Sequence, residues 1–132
     1  MDFDTGSPIW AQLVAEFTRR IVTGEWPAGA RIPAVRDLAT EVGVNPNTAQ
    51  RALAELERLE LCRSERTAGR FVTDDPERID ALRTELARDA ALAYIRTARG
   101  LGMTLPRARD LIEKGWRDHD HHDRTDDGGD DA

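Results

Sequence analysis

The feature that most constrains the fold is a pair of short amphipathic segments separated by a glycine. The first covers about residues 34–42, has apolar residues at the i, i+3, i+4 and i+7 positions of a helix, and stops at Gly43. The second covers about residues 45–60, where Asn45 is a natural N-cap and Pro46 suits the first helical position. Two helices joined by a tight, glycine-containing turn predict a helix-turn-helix.

An amphipathic helix is predicted before this motif, over residues 8–23. Its apolar stripe is formed by Ile9, Leu13, Phe17 and Ile21. We expect Ser7 to cap this helix, Pro8 to open it and Gly24 to end it. The segment 26–33 contains two prolines and a glycine, which is typical of a turn.

A two-stranded hairpin is predicted after the motif. The segments 61–65 and 69–73 flank the residues RTA, and Gly69 falls near the tip. Helix, short helix, turn, helix and hairpin is the order of a winged helix-turn-helix. We therefore assign residues 1–75 to such a domain, with the helix-turn-helix at about 34–60 and the wing at about 61–73.

Two further helices are predicted over residues 76–117, a long helix to about Leu101 and a short helix capped by Thr104. The fold class is thus mainly α with a small β-hairpin wing. Two helices of this size cannot bury their apolar faces alone, which favours a dimer interface over packing back onto the winged domain. The predicted interface residues are Ile79, Leu82, Leu86, Ala90, Tyr94, Leu105, Leu111, Ile112 and Trp116.

The net charge of −6 is concentrated at one end of the chain. Residues 1–73 hold nine arginines against ten acidic residues, whereas residues 117–132 hold two arginines against seven aspartates. The overall acidity therefore does not exclude nucleic acid as a partner, because the placement of the arginines decides binding.

Residues 118–132 cannot bury apolar area and are predicted to be a disordered acidic tail. The tail contains His119, His121 and His122 among aspartates, a composition that would suit zinc or nickel. Because ordering a flexible segment costs entropy, we expect a solvated tail and no metal site.

The sequence does not favour a membrane protein, a secreted protein or an enzyme. No apolar run approaches the ~20 residues that cross a bilayer, and no signal-peptide pattern opens the chain, so a cytoplasmic protein without membrane contact is expected. The single cysteine, Cys62, forms no internal disulfide and is expected to be a small buried side chain. Without a glycine-rich phosphate loop or a nucleophile paired with a histidine, we expect neither catalysis nor a cofactor.

The second helix of the motif carries the side chains that reading DNA requires. Asn47, Gln50 and Arg51 face away from its apolar positions, in the turn that enters the major groove in such motifs. Arginine can pair bidentately with guanine, and glutamine or asparagine with adenine. Thr48 and the free backbone N–H groups of the first turn suit a phosphate.

Backbone contacts are expected on either side of this helix. Arg36 is placed to anchor a phosphate, and Arg66 and Arg70 flank the hairpin tip, where a wing would meet the DNA backbone or minor groove. Acidic residues from Glu55 to Glu60 would be repelled by phosphate, so only the first half of the helix should approach DNA.

The segments RIPAVRDLA, VNPNTAQRAL and GRFV, at these spacings within residues 8–73, resemble the GntR family of bacterial transcription regulators. The resemblance implies DNA contacts at Arg36, Asn45, Asn47, Thr48, Gln50, Arg51, Arg66, Gly69 and Arg70. Two residues depart from the pattern. Ala34 stands where many relatives have serine, and Glu65 lies beside the wing where a basic residue is more usual, which predicts weaker backbone binding.

The short C-terminal segment is similar to that of the YtrA-type subgroup, whose helical appendage serves dimerisation. This resemblance implies a homodimeric repressor on a pseudo-palindromic operator. A winged-helix protein-interaction module without sequence-specific DNA binding is the alternative. The repressor could also be a sensor that binds a small molecule in a pocket at the helical dimer interface. The sequence does not identify such an effector.

Overall fold

Within residues 1–127, five helices and one antiparallel hairpin follow each other in the order that the sequence predicts. The computed structural model describes the backbone of residues 1–127 and the side chains of residues 1–120. The elements are α1 (Ile9–Val22), α2 (Val35–Val42), α3 (Pro46–Arg58), β1 (Cys62–Glu65), β2 (Gly69–Val72), α4 (Pro76–Gly100) and α5 (Leu105–Asp127). The predicted fold class, mainly α with a small hairpin, is confirmed. The chain divides into one unit over Met1–Leu86 and another that begins at Ala87.

The core of the first unit lies between α1, α2, α3 and the hairpin. The apolar stripe predicted for α1 supplies Leu13, Phe17 and Ile21, all almost fully buried. The following elements and the α3–β1 connection contribute Leu38, Val42, Ala52, Leu53, Leu56, Leu61 and Val72. Each buried leucine, isoleucine, valine or phenylalanine side chain contributes about 1.5–3 kcal/mol, so the inner face of α3 is firmly held.

The turn between α2 and α3 forms as predicted. Gly43 has φ 77° and ψ 42°, a left-handed conformation that glycine adopts without strain. Asn45 then caps α3, because its side-chain oxygen accepts a hydrogen bond of 2.8 Å from the backbone N–H of Asn47. Pro46 occupies the first turn.

The start of α1 differs from the prediction. Pro8, with φ −58° and ψ 144°, occupies the N-cap position itself, and Ser7 provides no side-chain cap. The amide of Gln12 fixes the preceding chain instead. Its nitrogen donates to the backbone oxygens of Asp4 and Ser7, at 2.6 and 2.9 Å.

The predicted turn over residues 26–33 also pairs with the wing through a single isolated bridge. Arg31 pairs with Phe71 in an antiparallel bridge, and the backbone N–H of Ile32 donates to the Arg70 oxygen at 2.8 Å. On the other side, the Val72 N–H donates to the Ala30 oxygen at 2.9 Å. The wing is therefore supported along the outer edge of β2.

The first part of α4 belongs to the winged unit, which corrects two residues of the predicted dimer interface. Ile79 and Leu82 are only 9% and 6% exposed and lie in the core described above. Arg83 also donates to the Val22 backbone oxygen at 2.8 Å. The two apolar side chains are covered within one chain, so the first unit extends past residue 75 to Leu86.

In the second unit, Thr104 caps α5 as predicted, accepting from the Arg107 N–H at 3.4 Å. However, α5 is not short, and residues 118–127, which were predicted to be disordered, continue it. A helix can be polar all round when side chains pair along it, as Arg117 and Glu113 do at 3.8 Å. The remaining predicted tail, residues 128–132, lies outside the described residues.

An ion-pair cluster joins α1 to α2. Arg20 is 8% exposed and pairs with Glu16 at 3.2 Å and with Glu41 at 3.0 Å, while its guanidinium lies 5.5 Å from the Trp26 ring. The hydrogen bond from Arg19, together with Arg20, lowers the pKa of Glu16 from 4.5 to about 2. Because the pKa of Glu16 is lowered by folding, its ionised form stabilises the native state.

This cluster predicts an acid-dependent effect of Glu16→Gln. At pH 7 the substitution should lower the urea midpoint of unfolding, because the neutral amide cannot replace the ion pairs. Between pH 4.5 and about pH 2 the wild type loses this stabilisation as Glu16 becomes protonated. The two midpoints should therefore converge, as followed by circular dichroism. Glu85→Gln is the control, and a pH-independent difference for Glu16→Gln would contradict the assignment.

Candidate nucleic-acid interface

The first half of α3 presents polar side chains to solvent. Asn47, Gln50 and Arg51 are exposed and Thr48 is half-buried, whereas the inner face of the helix is buried. The outward placement follows from helical periodicity, since the core holds the opposite face. The structure thus brings together four of the residues predicted to contact DNA.

Two predicted contacts lie at the edges of this surface. Arg36, in the first turn of α2, is exposed, and its guanidinium pairs with no residue in the described part of the chain. Asn45 is exposed too, but its side-chain oxygen is already used as the cap of α3. The side-chain NH2 group of Asn45 makes no hydrogen bond with a described residue and can still donate to a phosphate.

Arg51 is oriented by a residue of α1. Its guanidinium lies over the Trp10 ring, 4.3 Å from the ring centroid. Such a cation–π contact uses the flat face of the guanidinium, which leaves its N–H edge able to donate hydrogen bonds. This contact could not be predicted from the sequence, because Trp10 fits the pattern of a packing residue in α1.

Arg70 is held by side chains of α3. Its Nε donates to Glu57 at 2.7 Å and its Nη1 donates to the side-chain oxygen of Gln50 at 3.3 Å. The hydroxyl of Ser64 donates to the same Glu57 carboxylate. These bonds, from Ser64 first and then Arg70, lower the pKa of Glu57 despite partial burial.

The wing tip has one unpaired arginine and one crowded glycine. Arg66 is exposed and has no ion pair with any described residue. Gly69 has φ 103°, and a Cβ atom there would lie 3.0 Å from Nε of Arg31. The positive φ therefore already favours glycine here, whereas the exposed Arg31 side chain could shift to admit a Cβ atom. Arg31 is an exposed cation beside the wing that the sequence reasoning missed.

Glu65, the acidic residue noted beside the wing, pairs with Arg63 at 3.5 Å. Arg63 also lies 5.8 Å from the centroid of the Phe71 ring. The acidic charge of Glu65 is therefore partly balanced within β1.

Comparison with known proteins agrees with this geometry. The family model described as "Bacterial regulatory proteins, gntR family" matches residues 10–72. An uncharacterized helix-turn-helix transcriptional regulator, YhcF of Bacillus subtilis, is 33% identical over 102 residues, which cover 77% of this chain and 84% of YhcF. The chain belongs to the GntR family.

Two further similarities concern fold and type of regulator. A GntR-family regulator of known structure from Listeria monocytogenes superimposes with a TM-score of 0.76 at 37% identity, over 85% of this chain and 98% of that one. The transcriptional repressor YtrA of Bacillus subtilis is 31% identical over 75 residues, 57% of this chain and 58% of YtrA. This GntR-family protein is accordingly a helix-turn-helix transcriptional regulator that binds DNA, and not an enzyme.

Cys62 is a structural residue of the GntR-family domain. Its thiol is buried and lies 3.9 Å from the Leu53 backbone oxygen. Burial, together with the charge of Glu57, raises the pKa of the Cys62 thiol to about 11. The thiol is thus neutral at pH 7, as expected for a small buried side chain.

Two other expectations concern metals and membranes. Among the side chains of residues 1–120, no three His, Cys, Asp or Glu residues are grouped so that they could hold a metal ion. His121 and His122 of the histidine-rich segment lie outside the described side chains. Within the described residues, no helix is both long and apolar enough to cross a membrane.

The contact between Trp10 and Arg51 predicts non-additive effects on DNA affinity. Trp10→Ala should weaken binding to a selected duplex about two- to fivefold, the loss expected for an exposed cation–π contact of about 0.5–1 kcal/mol. In an Arg51→Ala background the same change should have no effect. Fluorescence anisotropy at constant salt measures this cycle, with Trp10→Phe as the conservative variant. Equal losses in both backgrounds would show that Trp10 acts independently of Arg51.

Proposed function

We propose that the protein is a sequence-specific repressor that binds a pseudo-palindromic operator as a homodimer. The observation that carries the proposal is the exposed polar first half of α3. Two further arginines, Arg36 of α2 and Arg66 of the wing, are also exposed and unpaired among the described residues. The similarity to the repressor YtrA supports the direction of regulation.

The proposed contacts follow from the chemistry of each exposed side chain. Arg51 and Gln50 read base edges in the major groove, with Asn47 beside them. Arg36 and Thr48 bind the DNA backbone next to them. At the wing, Arg66 and the backbone of Gly69 approach the phosphates or the adjacent minor groove.

The second half of α3 stays away from the DNA in this arrangement. Glu57 is ionised and bonded to Arg70, and Glu55 forms a 2.5 Å ion pair with Arg58. A phosphate close to these carboxylates would be repelled. The helix therefore enters the groove by its N-terminal end, as recognition helices of this type do.

The homodimer is proposed from apolar side chains that one chain leaves exposed. Trp116 is 74% exposed, Leu105 68% and Leu111 55%. Leu86 and Ile112 of the predicted interface are also exposed. Three further apolar side chains that were not among the predicted interface residues are exposed as well, namely Leu92, Ile95 and Leu101. In the second unit, the bend between α4 and α5 forms an open apolar pocket of about 630 Å³ lined by Tyr94, Met103 and Ile112, among others. A second copy would cover these surfaces, as apolar patches of this kind require.

Selection from a random duplex library at about 150 mM salt tests DNA reading. Wild type should enrich a two-fold symmetric motif with half-sites about one helical turn, or a multiple of it, apart. Arg51→Ala should lose about 1–3 kcal/mol and accept other bases at one position in each half-site. An equal loss on all sequences would make Arg51 a phosphate contact. No enrichment by wild type would favour the protein-interaction module.

The proposed dimer is tested separately with the variant Ile112→Asp. This substitution would place a carboxylate in the apolar interface and oppose dimerisation. Sedimentation should show this variant as a monomer, and its affinity for the full operator should fall while half-site binding persists. Lys114→Asp, on the opposite side of α5 by helical periodicity, is the matched control. If Ile112→Asp forms dimers with the same dissociation constant as the wild type, the interface lies elsewhere.

A further inference from the structure

The contact between the wing and α3 gives Arg70 a role other than the one its position in the wing implies. We propose that Arg70 is a positioning residue and not a phosphate contact. It fixes the side-chain amide of Gln50 so that Gln50 offers N–H donors to the major groove. This inference rests on the proposed function, in which the first half of α3 reads DNA.

The charge of Arg70 is already balanced inside the protein. Its Nε lies 2.7 Å from the Glu57 carboxylate, and the side chains of Arg70 and Glu57 are only 18% and 32% exposed. Ser64 supplies a further hydrogen bond to Glu57, so the carboxylate is held from both strands of the hairpin. Because its charge is already paired with the ionised Glu57, Arg70 attracts a phosphate less strongly than an unpaired arginine does. Arg66, by contrast, is exposed and has no ion pair with a described residue.

A second guanidinium donor of Arg70 sets the orientation of Gln50. Nη1 of Arg70 lies 3.3 Å from the Gln50 side-chain oxygen. A guanidinium has only donors, so the reversed amide would place its NH2 group against another donor. The Gln50 oxygen therefore faces the wing, and the NH2 group is directed away from it.

The fixed amide selects among base edges by their hydrogen-bonding groups. In the major groove, guanine N7 and O6, adenine N7 and thymine O4 accept hydrogen bonds, whereas cytosine N4 only donates. An amide that presents NH2 is thus matched to guanine, adenine or thymine and is mismatched to cytosine. The specificity of Gln50 would then depend on Arg70 and Glu57, neither of which touches the base.

The experiment compares Arg70→Ala with Arg66→Ala in two readouts. For Arg66→Ala, the slope of log K against log salt should fall by about 0.9, the value for one lost phosphate contact, with base preferences unchanged. For Arg70→Ala, the slope should equal that of wild type, while cytosine becomes accepted at one position of each half-site. Arg70→Lys, which keeps a donor near Gln50, should restore part of the discrimination.

A second variant leaves Arg70 and the fold of the wing in place. Gln50→Glu keeps an acceptor for Arg70 but offers a carboxylate to the groove, and should shift the selected base to cytosine. A salt slope for Arg70→Ala that falls as far as that of Arg66→Ala would overturn the inference while leaving DNA binding intact. An unchanged base preference in both Arg70→Ala and Gln50→Glu would overturn it too. Absence of any enriched duplex with wild type would overturn the proposed function itself.

Discussion

The packing of α1 against α3 is the interaction on which the rest of the structure depends. Leu13 and Phe17 are fully buried, and the inner face of α3 meets them with Leu53 and Leu56, which are equally buried. Core packing at this density permits little rotation of a helix. The polar residues at the start of α3 are exposed because the apolar residues between them are committed to the core. The same packing brings Trp10 of α1 to Arg51.

Local pairing of charge explains how an acidic chain can present a DNA-binding surface. Several arginines of the first unit are neutralised by nearby carboxylates, namely Arg19, Arg20, Arg58, Arg63 and Arg70. Arg36 of α2 and Arg66 of the wing are exposed and have no such partner among the described residues. Net charge describes the whole molecule, whereas phosphates respond to charges within about 10 Å. The protein-wide value of −6 therefore says little about this surface.

Features set by neighbouring residues could be predicted from the sequence. The cap at Asn45, the turn at Gly43 and the two strands of the wing each depend on a few adjacent residues with strong conformational preferences. Features that depend on contacts between distant residues could not be predicted from the sequence. The bridge at Arg31 involves a single residue between prolines and shows no alternation, and the Arg70–Glu57 pair depends on how the wing folds against α3. Ile79 and Leu82 belong to the apolar stripe of α4, and the sequence does not show whether this stripe packs against the winged unit or against a second chain.

Methylation interference on a selected operator would test the account most directly, because guanine N7 lies in the major groove. If the first half of α3 enters that groove, N7 methylation within each half-site should exclude the duplex from the bound fraction. The two sensitive clusters should be related by two-fold symmetry and lie about one helical turn, or a multiple of it, apart. Interference confined to adenine N3 in the minor groove, or absent from both half-sites, would contradict the assignment of α3 as the recognition helix.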